Sequence, residues 1–418
     1  MQKLIIKGPT KLEGTIRVAG SKNHVLPMLC AMLLTTEDVS LHNVPAIADA
    51  EVLIEILELY GVRIERTGSS IICNGKNASP TAIPAKITHK LRASLLVIGP
   101  ALARFGEVDI GYPGGDIIGA RPIDTHITGL QALGAKVSSS TDSIKMSGKL
   151  VAGRVLLDEI SVTATENLIL AAVLLPGETE IRMAATEPHI VGLCSFLNGL
   201  GAKIAGIGTH IITITGVPKL HGGEGKIVPD YLESGTLAIA AAASGGNLVV
   251  EDFMINDHDA LLNVFGRMGV NYKVLSESSL QVLPTKKILA TKIRTDIYPG
   301  FPSDLQAPMA VLFTQAHGTS EIFETMYEGR LQYLFELQRM GAHINLRDSH
   351  IGLVEGPTAL HGTDLISFDV RAGATILIAG VVAHGTTTID RIEHIDRGYE
   401  HFDGRLRSIG ANISRTGT

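Results

Sequence analysis

Tryptophan is absent from the 418 residues, and phenylalanine and tyrosine together make up only 4% of them. There is no basic run, and the net charge is −6. The chain therefore offers neither an aromatic stacking platform nor an electropositive face for nucleic acid. Cysteine is nearly as scarce. Cys30, Cys73 and Cys194 show no CxxC spacing and no even-numbered framework, so they read as free thiols of a reducing compartment. No apolar run reaches the ~18 residues of a membrane span, and the opening MQKLIIKGP lacks the apolar core of a secretory signal. No His, Cys or carboxylate cluster has metal-ligand spacing. These absences leave a cytoplasmic enzyme or binding protein that acts on small molecules, without metal, cofactor, membrane or nucleic acid.

What is present is a repeat. Six helix-like stretches end in a glycine that runs straight into a strand-like stretch, at Gly61, Gly134, Gly201, Gly269, Gly341 and Gly410. The gaps are 73, 67, 68, 72 and 69 residues. A glycine after the last helical turn takes the left-handed conformation that ends a helix at little cost. One such junction means nothing, but six at near-constant spacing mean six copies of one α/β unit. A chain of this length exceeds a single core, so the units divide into three plus three over two domains.

Each unit holds a second helix of different character. These read Asn23–Leu34, Arg92–Ala103, Thr165–Leu175, Ser234–Ala243, Asp304–Gln315 and Ala372–Ala383, and they are apolar on nearly every face. Such helices are buried on all sides. The glycine-terminated helices, such as Glu51–Tyr60 and Leu331–Met340, mix polar and apolar residues and face solvent. Strands such as Val62–Glu65, Lys136–Ser139 and His343–Asn345 alternate with period two. The expected domain has three sheets outside and three apolar helices at its centre.

Polar residues gather where the buried helices begin: Lys22 and Asn23, Arg92, Ser161 with Thr163 and Thr165, Glu233 with Ser234, Asp304, and Asp369 with Arg371. Helix N-termini carry unpaired N–H groups and partial positive charge. Termini aimed the same way would suit a ligand with several phosphate or carboxylate groups. Arg92 and Arg371 run against the helix dipole, which favours anion binding over a plain surface role. Asp304 has a bland reading as a helix cap, yet Ser303 and Gln306 already have the S-x-x-Q spacing of a capping box, which leaves Asp304 free. Asp116, in a Gly-Gly turn, reads on its own as a turn residue.

The segment Tyr112-Pro-Gly-Gly-Asp116-Ile-Ile-Gly-Ala-Arg121-Pro-Ile-Asp124-Thr-His126 is the most specific stretch. With Gly20-Ser-Lys22-Asn23 and His394-Ile-Asp396-Arg397-Gly-Tyr-Glu, it resembles the UDP-N-acetylglucosamine 1-carboxyvinyltransferases of the EPSP synthase superfamily, over Leu4 to Ile413. The resemblance implies an inside-out α/β barrel pair. One domain would span 21–228 with a mobile loop at 112–122. The other would combine 1–20 with 229–418, and the active site would lie in the cleft between them. The implied reaction moves the enolpyruvyl group of phosphoenolpyruvate to the 3′-hydroxyl of UDP-N-acetylglucosamine, through a tetrahedral ketal and with loss of phosphate. Its partners are those two substrates. Fixed cations suit such anions and the charge that develops between them.

The resemblance also implies roles. Lys22, Arg121 and Arg397 would bind the phosphate of phosphoenolpyruvate, and Arg330 and Arg371 its carboxylate. Arg92, the run Arg121, Pro122, Ile123, Asp124 and Thr125, and Ser161, Val162 and Thr163 would hold the nucleotide. Asp304 would take or orient the proton of the 3′-hydroxyl, with Asn23 and Asp369 as positioning groups. Met326 would line the sugar pocket. Asp116 stands where most members of the family carry a loop cysteine, the nucleophile that fosfomycin alkylates. An aspartic acid can still donate a proton in a water-poor site but has no soft thiolate, so activity with fosfomycin insensitivity is expected. Ala48, Glu159 and Tyr231 replace basic residues of some relatives. Two rivals are a 5-enolpyruvylshikimate-3-phosphate synthase, which has Gly-Ser-Lys-Ser where this chain has Gly-Ser-Lys22-Asn23, and a non-catalytic UDP-sugar binder, which has no need of the phosphoenolpyruvate clamp.

Overall fold

The computed structural model describes residues 2–116 and 118–417. Among them, the strands fall into six four-stranded sheets that share one pairing pattern, and in three of them, those that start at Ala82–Ile83, Arg154–Leu156 and Lys292–Arg294, the chain follows one continuous plan. A short strand leads into a central helix, and a second strand returns parallel to the first. An outer helix follows, and two more strands pair antiparallel to complete the sheet. In the third copy Arg154–Leu156 precedes the helix Val162–Ala172, and Glu178–Arg182 lies parallel to it with Val155 opposite Ile181. The outer helix Pro188–Gly199 then leads to Lys203–Ala205 and Ile211–Thr215, both antiparallel additions. Along Glu178–Arg182 only Thr179 and Ile181 are buried, the alternation of a sheet with one inward face.

The six junction glycines all have positive φ, between 70° and 105°. A side chain is strained in that region, so glycine sets each helix end and the spacing of the repeat.

The central helices are α1 (Lys22–Cys30), α2 (Ile98–Phe105), α3 (Val162–Ala172), α4 (Tyr231–Ser244), α5 (Ser303–Thr314) and α6 (Val370–Val382). Every residue of α4 from Tyr231 to Ala243 is buried, and so is every residue of α6 from Val370 to Val381. With no polar face to present, these helices have nowhere stable but the interior. Close packing fixes them there: a Cβ added at Gly235 of α4 would lie 2.7 Å from Leu305 of α5. Several starts differ from the sequence reading: α3 begins at Val162 instead of Thr165 and α6 at Val370 instead of Ala372. The stretch Arg92–Ala103 is a 3₁₀ helix over Arg92–Val97 and only then α2. Pro100 accounts for this, because it has no N–H for the carbonyl of Leu96 and its ring crowds that group. The fourth helix begins at Tyr231, where Asp230 accepts hydrogen bonds from the backbone N–H groups of Leu232 (2.9 Å) and Glu233 (3.2 Å). Asp230 is a stronger N-cap than the residues that follow it.

The chain divides into two compact units. One comprises 20–115 and 122–228, and the other comprises 1–19, 116–121 and 229–418. The first contains α1, α2 and α3 and the second α4, α5 and α6. Each has its own hydrophobic core, and the two cores share no residue. The start of the chain is woven into the second unit. Lys3–Gly8 pairs antiparallel with Gly385–Asp390 and Ile413–Thr416, while Glu13–Arg17 runs parallel to Asn247–Glu251. No helix of the described residues is long and apolar enough to cross a membrane.

Candidate active site

In the unit with both termini, the starts of α5 and α6 meet at Asp304. Its Oδ1 accepts from Nη2 of Arg330 at 2.5 Å and its Oδ2 from Nε of Arg371 at 3.0 Å. The two arginine side chains are 5% exposed, whereas Asp304 is 27% exposed, so the carboxylate is the open face of a buried clamp. Asp369 is the N-cap of α6, and its Oδ1 accepts from the N–H groups of Arg371 and Ala372, both at 2.8 Å. That bond fixes the direction in which Arg371 leaves the helix. The Arg371 guanidinium lies over the ring of Tyr399 at 5.1 Å. Burial disfavours its charge, but Tyr399, Asp304 and Asp230 outweigh burial and hold its pKa above the ordinary arginine value. Arg330 behaves likewise: burial opposes its charge, and Asp304 and Asp369 prevail. Asp369 is pushed up by its own burial, against the pull of Arg330. Nη1 of Arg371 is buried and makes no hydrogen bond among the described residues. A buried guanidinium donor without an acceptor is costly unless a ligand supplies one.

Ser303 does not form the capping box. Pro302 is the N-cap of α5, no side chain caps it, and the Ser303 hydroxyl donates to Oε2 of Glu324 at 2.7 Å. Glu324 is fully buried and more demanding, since an unpaired carboxylate in the interior is far costlier than an uncapped helix end. Its Oε1 accepts from the N–H of Met326 (2.8 Å) and of Tyr327 (3.2 Å), and from Thr295 (3.1 Å). Glu324 thus shapes the turn that presents Met326, 37% exposed, and carries on to Arg330.

Asp116 and residues 118–121 belong to this same unit, and Ile118 and Ala120 are held by that turn. Ala120 N–H donates to Oε1 of Glu328 (2.8 Å), and Gly329 N–H donates to the carbonyl of Ile118 (3.0 Å). The guanidiniums of Arg121 and Arg330 each lie 5.8 Å from the centroid of Tyr327. Arg121 has φ +43°, a strained conformation for a side chain of its size. Asp116 Oδ1 accepts from Nη1 of Arg397 at 2.5 Å.

The other unit gathers the remaining residues. Lys22 opens α1, and its Nζ lies 2.6 Å from Oδ2 of Asp49, which is in the first turn of the helix Ala48–Leu59. Asn23 follows it in the first turn, half-buried. Arg92 donates from Nη2 to the carbonyl of Pro122 at 3.1 Å. Pro122 and Asp124 are exposed, Ile123 is the N-cap of the helix Asp124–Ala132, and Thr125 is buried and donates to Oε1 of Glu159 at 3.2 Å. Ser161 caps α3, with Val162 as its first residue, and accepts weakly from Ala164 N–H at 3.4 Å. Thr163 lies 2.9 Å from Nε2 of His126. Burial, aided by the charge of Arg92, lowers the pKa of His126 to about 3, so the ring is neutral at ordinary pH.

The two units therefore hold the sequence-derived residues as two sets. Asp116, Arg121, Asp304, Met326, Arg330, Asp369, Arg371 and Arg397 lie in one; Lys22, Asn23, Arg92, Pro122 to Thr125 and Ser161 to Thr163 lie in the other. The sequence reading missed the carboxylates that steady the cations and the turn, Asp49, Glu324 and Glu328, and the aromatic platforms Tyr327 and Tyr399. Tyr327 alone had a signal, its place between Met326 and Arg330. Among the described residues no group of three or more His, Cys, Asp or Glu is placed to hold a metal ion. All three cysteines are free and buried, and burial pushes the thiols of Cys73 and Cys194 up to about 12.

The family profile described as EPSP synthase (3-phosphoshikimate 1-carboxyvinyltransferase) matches residues 6–406. A UDP-N-acetylglucosamine 1-carboxyvinyltransferase of Serratia proteamaculans is 42% identical over 417 residues, 99% of each chain. One of Photorhabdus laumondii is 41% identical over the same span and coverage. Among solved structures, the enolpyruvyl transferase NikO of Streptomyces tendae superimposes with a TM-score of 0.90 at 23% identity, covering 100% of this chain and 99% of its own, a likeness of fold. The repeated units with central helices have the fold of those transferases, and the chain belongs to the EPSP synthase family, among its UDP-N-acetylglucosamine 1-carboxyvinyltransferases.

Proposed function

We propose that this chain transfers the enolpyruvyl group of phosphoenolpyruvate to the 3′-hydroxyl of UDP-N-acetylglucosamine and releases phosphate, in the cytoplasm and as a step towards peptidoglycan. The observation that supports this most directly is the Arg330–Asp304–Arg371 clamp with its unpartnered buried donor on Arg371. A planar carboxylate such as that of phosphoenolpyruvate offers the acceptor that this donor lacks. Arg397, Arg121 and Lys22 would take the phosphate. Arg92, Pro122 to Thr125 and Ser161 to Thr163 would hold the nucleotide, with Met326 against the sugar.

In the first step the 3′-oxygen bonds to C2 of phosphoenolpyruvate while its proton passes to, or is oriented by, Asp304. Asp116 gives a proton to C3, and a tetrahedral ketal results. In the second step C3 returns a proton to the Asp116 carboxylate, the bond from C2 to the phosphate oxygen breaks, and phosphate leaves with the proton that came from the 3′-hydroxyl. Asn23 and Asp369 would position the reacting groups, and the arginines would stabilise the charge that develops on the way.

The test is inorganic phosphate release from phosphoenolpyruvate with UDP-N-acetylglucosamine, compared with each substrate alone. Release only with both supports the reading. Tight binding of the sugar nucleotide without release would leave a binder and sink it.

A further inference from the structure

The hydrogen bonds behind α3 fix the direction of one hydroxyl. Asn167 is fully buried. Its Oδ1 accepts from the N–H of Gly99 at 2.6 Å, and its Nδ2 donates to the carbonyl of Leu95 at 2.7 Å. A backbone N–H can only donate and a carbonyl can only accept, so these two bonds leave no freedom to exchange the amide's ends. The second Nδ2 proton meets Nδ1 of His126 at 3.0 Å. That nitrogen must accept, and since the buried ring is neutral, Nε2 carries the proton. Nε2 then donates to Oγ1 of Thr163 at 2.9 Å. The approach is built in at Gly99, where a Cβ would stand 2.2 Å from the carbonyl oxygen of Asn167 and 2.7 Å from its Oδ1.

The Thr163 hydroxyl is therefore an acceptor on its inner side, and its own proton has to go elsewhere. Among the described residues nothing takes it. The other unit shows the contrasting case. Ser234, near the start of α4, also pairs with a histidine, His258, at 2.8 Å, but it donates its proton to the carbonyl of Tyr231 at 3.0 Å. Thr125 gives its proton to Glu159. Thr163 alone of these three keeps a proton to offer, and it does so in the first turn of α3, where N–H groups also lack helical partners.

We propose that Asn167 and His126 are positioning residues that lock Thr163 as an outward hydrogen-bond donor, and that this donor recognises a phosphoryl oxygen of the nucleotide substrate. The proposal rests on the reading of α3 as part of the nucleotide site. It makes the position favour an anionic acceptor, to which the hydroxyl gives its one proton.

Two measurements test it. Ring ¹⁵N NMR of the ligand-free protein should show His126 as the Nε2–H tautomer, and an imidazolium or an Nδ1–H ring would overturn the lock. Titration calorimetry with UDP-N-acetylglucosamine should show Thr163→Val weakening binding roughly tenfold, the loss of one hydrogen bond to a charged oxygen. Thr163→Ser, which restores the donor, should stay within about threefold of wild type, and the KM for phosphoenolpyruvate should follow neither change. Wild-type binding with an unchanged Thr163→Val affinity would sink this inference and leave the proposed function standing. A wild-type protein that does not bind the sugar nucleotide would sink both.

Discussion

Asp116 reaches across 281 positions of sequence to place Oδ1 2.5 Å from Nη1 of Arg397, with both side chains 16% exposed. The arginine assigned to an incoming phosphate thus already has an internal anion as partner. Asp116 also acts electrostatically on Arg330 and Asp369, so its charge is felt beyond Arg397. A phosphate that binds Arg397 must displace the carboxylate or crowd a like charge against it. Asp116→Asn removes that competition while keeping the shape. Inorganic phosphate should bind this variant several-fold more tightly than wild type by calorimetry at low salt, where charge–charge terms are least screened. Equal affinity in the two proteins would show that the carboxylate yields to phosphate without cost.

The same residue is expected to set the response to fosfomycin. A thiolate opens an epoxide readily under mild conditions, and a carboxylate held by an arginine is a much weaker nucleophile towards it. The three cysteines that the chain does have are buried, away from such chemistry. Wild-type turnover should therefore be stable during prolonged incubation with the drug, while Asp116→Cys should lose activity with time in its presence. Progressive inactivation of the wild type would refute the expectation.

Much of this architecture is written locally in the chain. The six junction glycines mark helix ends because one residue in the left-handed region suffices, and the central helices announce themselves through apolar residues on every face. The clamp residues at helix starts stand out because Arg371 opposes the helix dipole. Pairings across sequence are different. Ser303 fits a capping box by spacing, yet a buried glutamate 21 residues later takes its hydroxyl. Lys22 meets Asp49, and Arg330 meets Asp304, only because each repeat folds the start of its central helix back against the lead-in to its outer helix. No local pattern encodes a partner that the fold supplies.

Glu159 offers a test of the nucleotide set. It holds the Thr125 hydroxyl at 3.2 Å and adds a negative charge where a diphosphate is expected to lie. Glu159→Gln keeps a hydrogen-bond acceptor for Thr125 and removes the charge. The KM for UDP-N-acetylglucosamine should fall several-fold, and less so at high salt, with the KM for phosphoenolpyruvate little changed. A rise in the first value would mean that Glu159 supports the nucleotide site through Thr125 instead of opposing it.

Asp304 separates two mechanisms. If it removes the proton of the 3′-hydroxyl, Asp304→Asn and Asp304→Ala should both lose on the order of 10²–10⁴ in kcat. If it only orients the hydroxyl, the amide should retain clearly more activity than alanine. Either change leaves Arg330 and Arg371 without the carboxylate between them. Both variants should unfold more easily, by about 3 kcal/mol where the remaining carboxylates do not compensate. Urea denaturation beside the kinetics tells lost chemistry from lost fold.

Three buried histidines tie stability to pH. Burial lowers His24 to about 4, against a backbone bond to Gly192 that favours its charge; it lowers His126 to about 3, with help from Arg92, and His258 to about 3. Each folded value lies below the unfolded value of ~6.5, so the unfolded chain takes up protons first as pH falls. Their contribution is complete above pH ~6.5 and is lost on acidification towards the folded values, at ~1.4 kcal/mol per pH unit for each ring. Asp257 and Glu166, both raised by burial and Asp257 to about 6, act in the opposite sense over part of that range, because their folded forms bind protons more readily. The net slope is thus a difference, and a single substitution isolates one part of it. His258→Gln removes one titrating ring while keeping a side chain able to donate to Ser234. Between pH 6 and 4 its unfolding free energy, from urea curves at fixed ionic strength, should fall less steeply than that of wild type by ~1.4 kcal/mol per pH unit. Parallel curves for the two proteins would mean that His258 is equally protonated in the folded and unfolded chain, and that its burial among Phe253, Tyr231 and Ser234 does not hold it neutral.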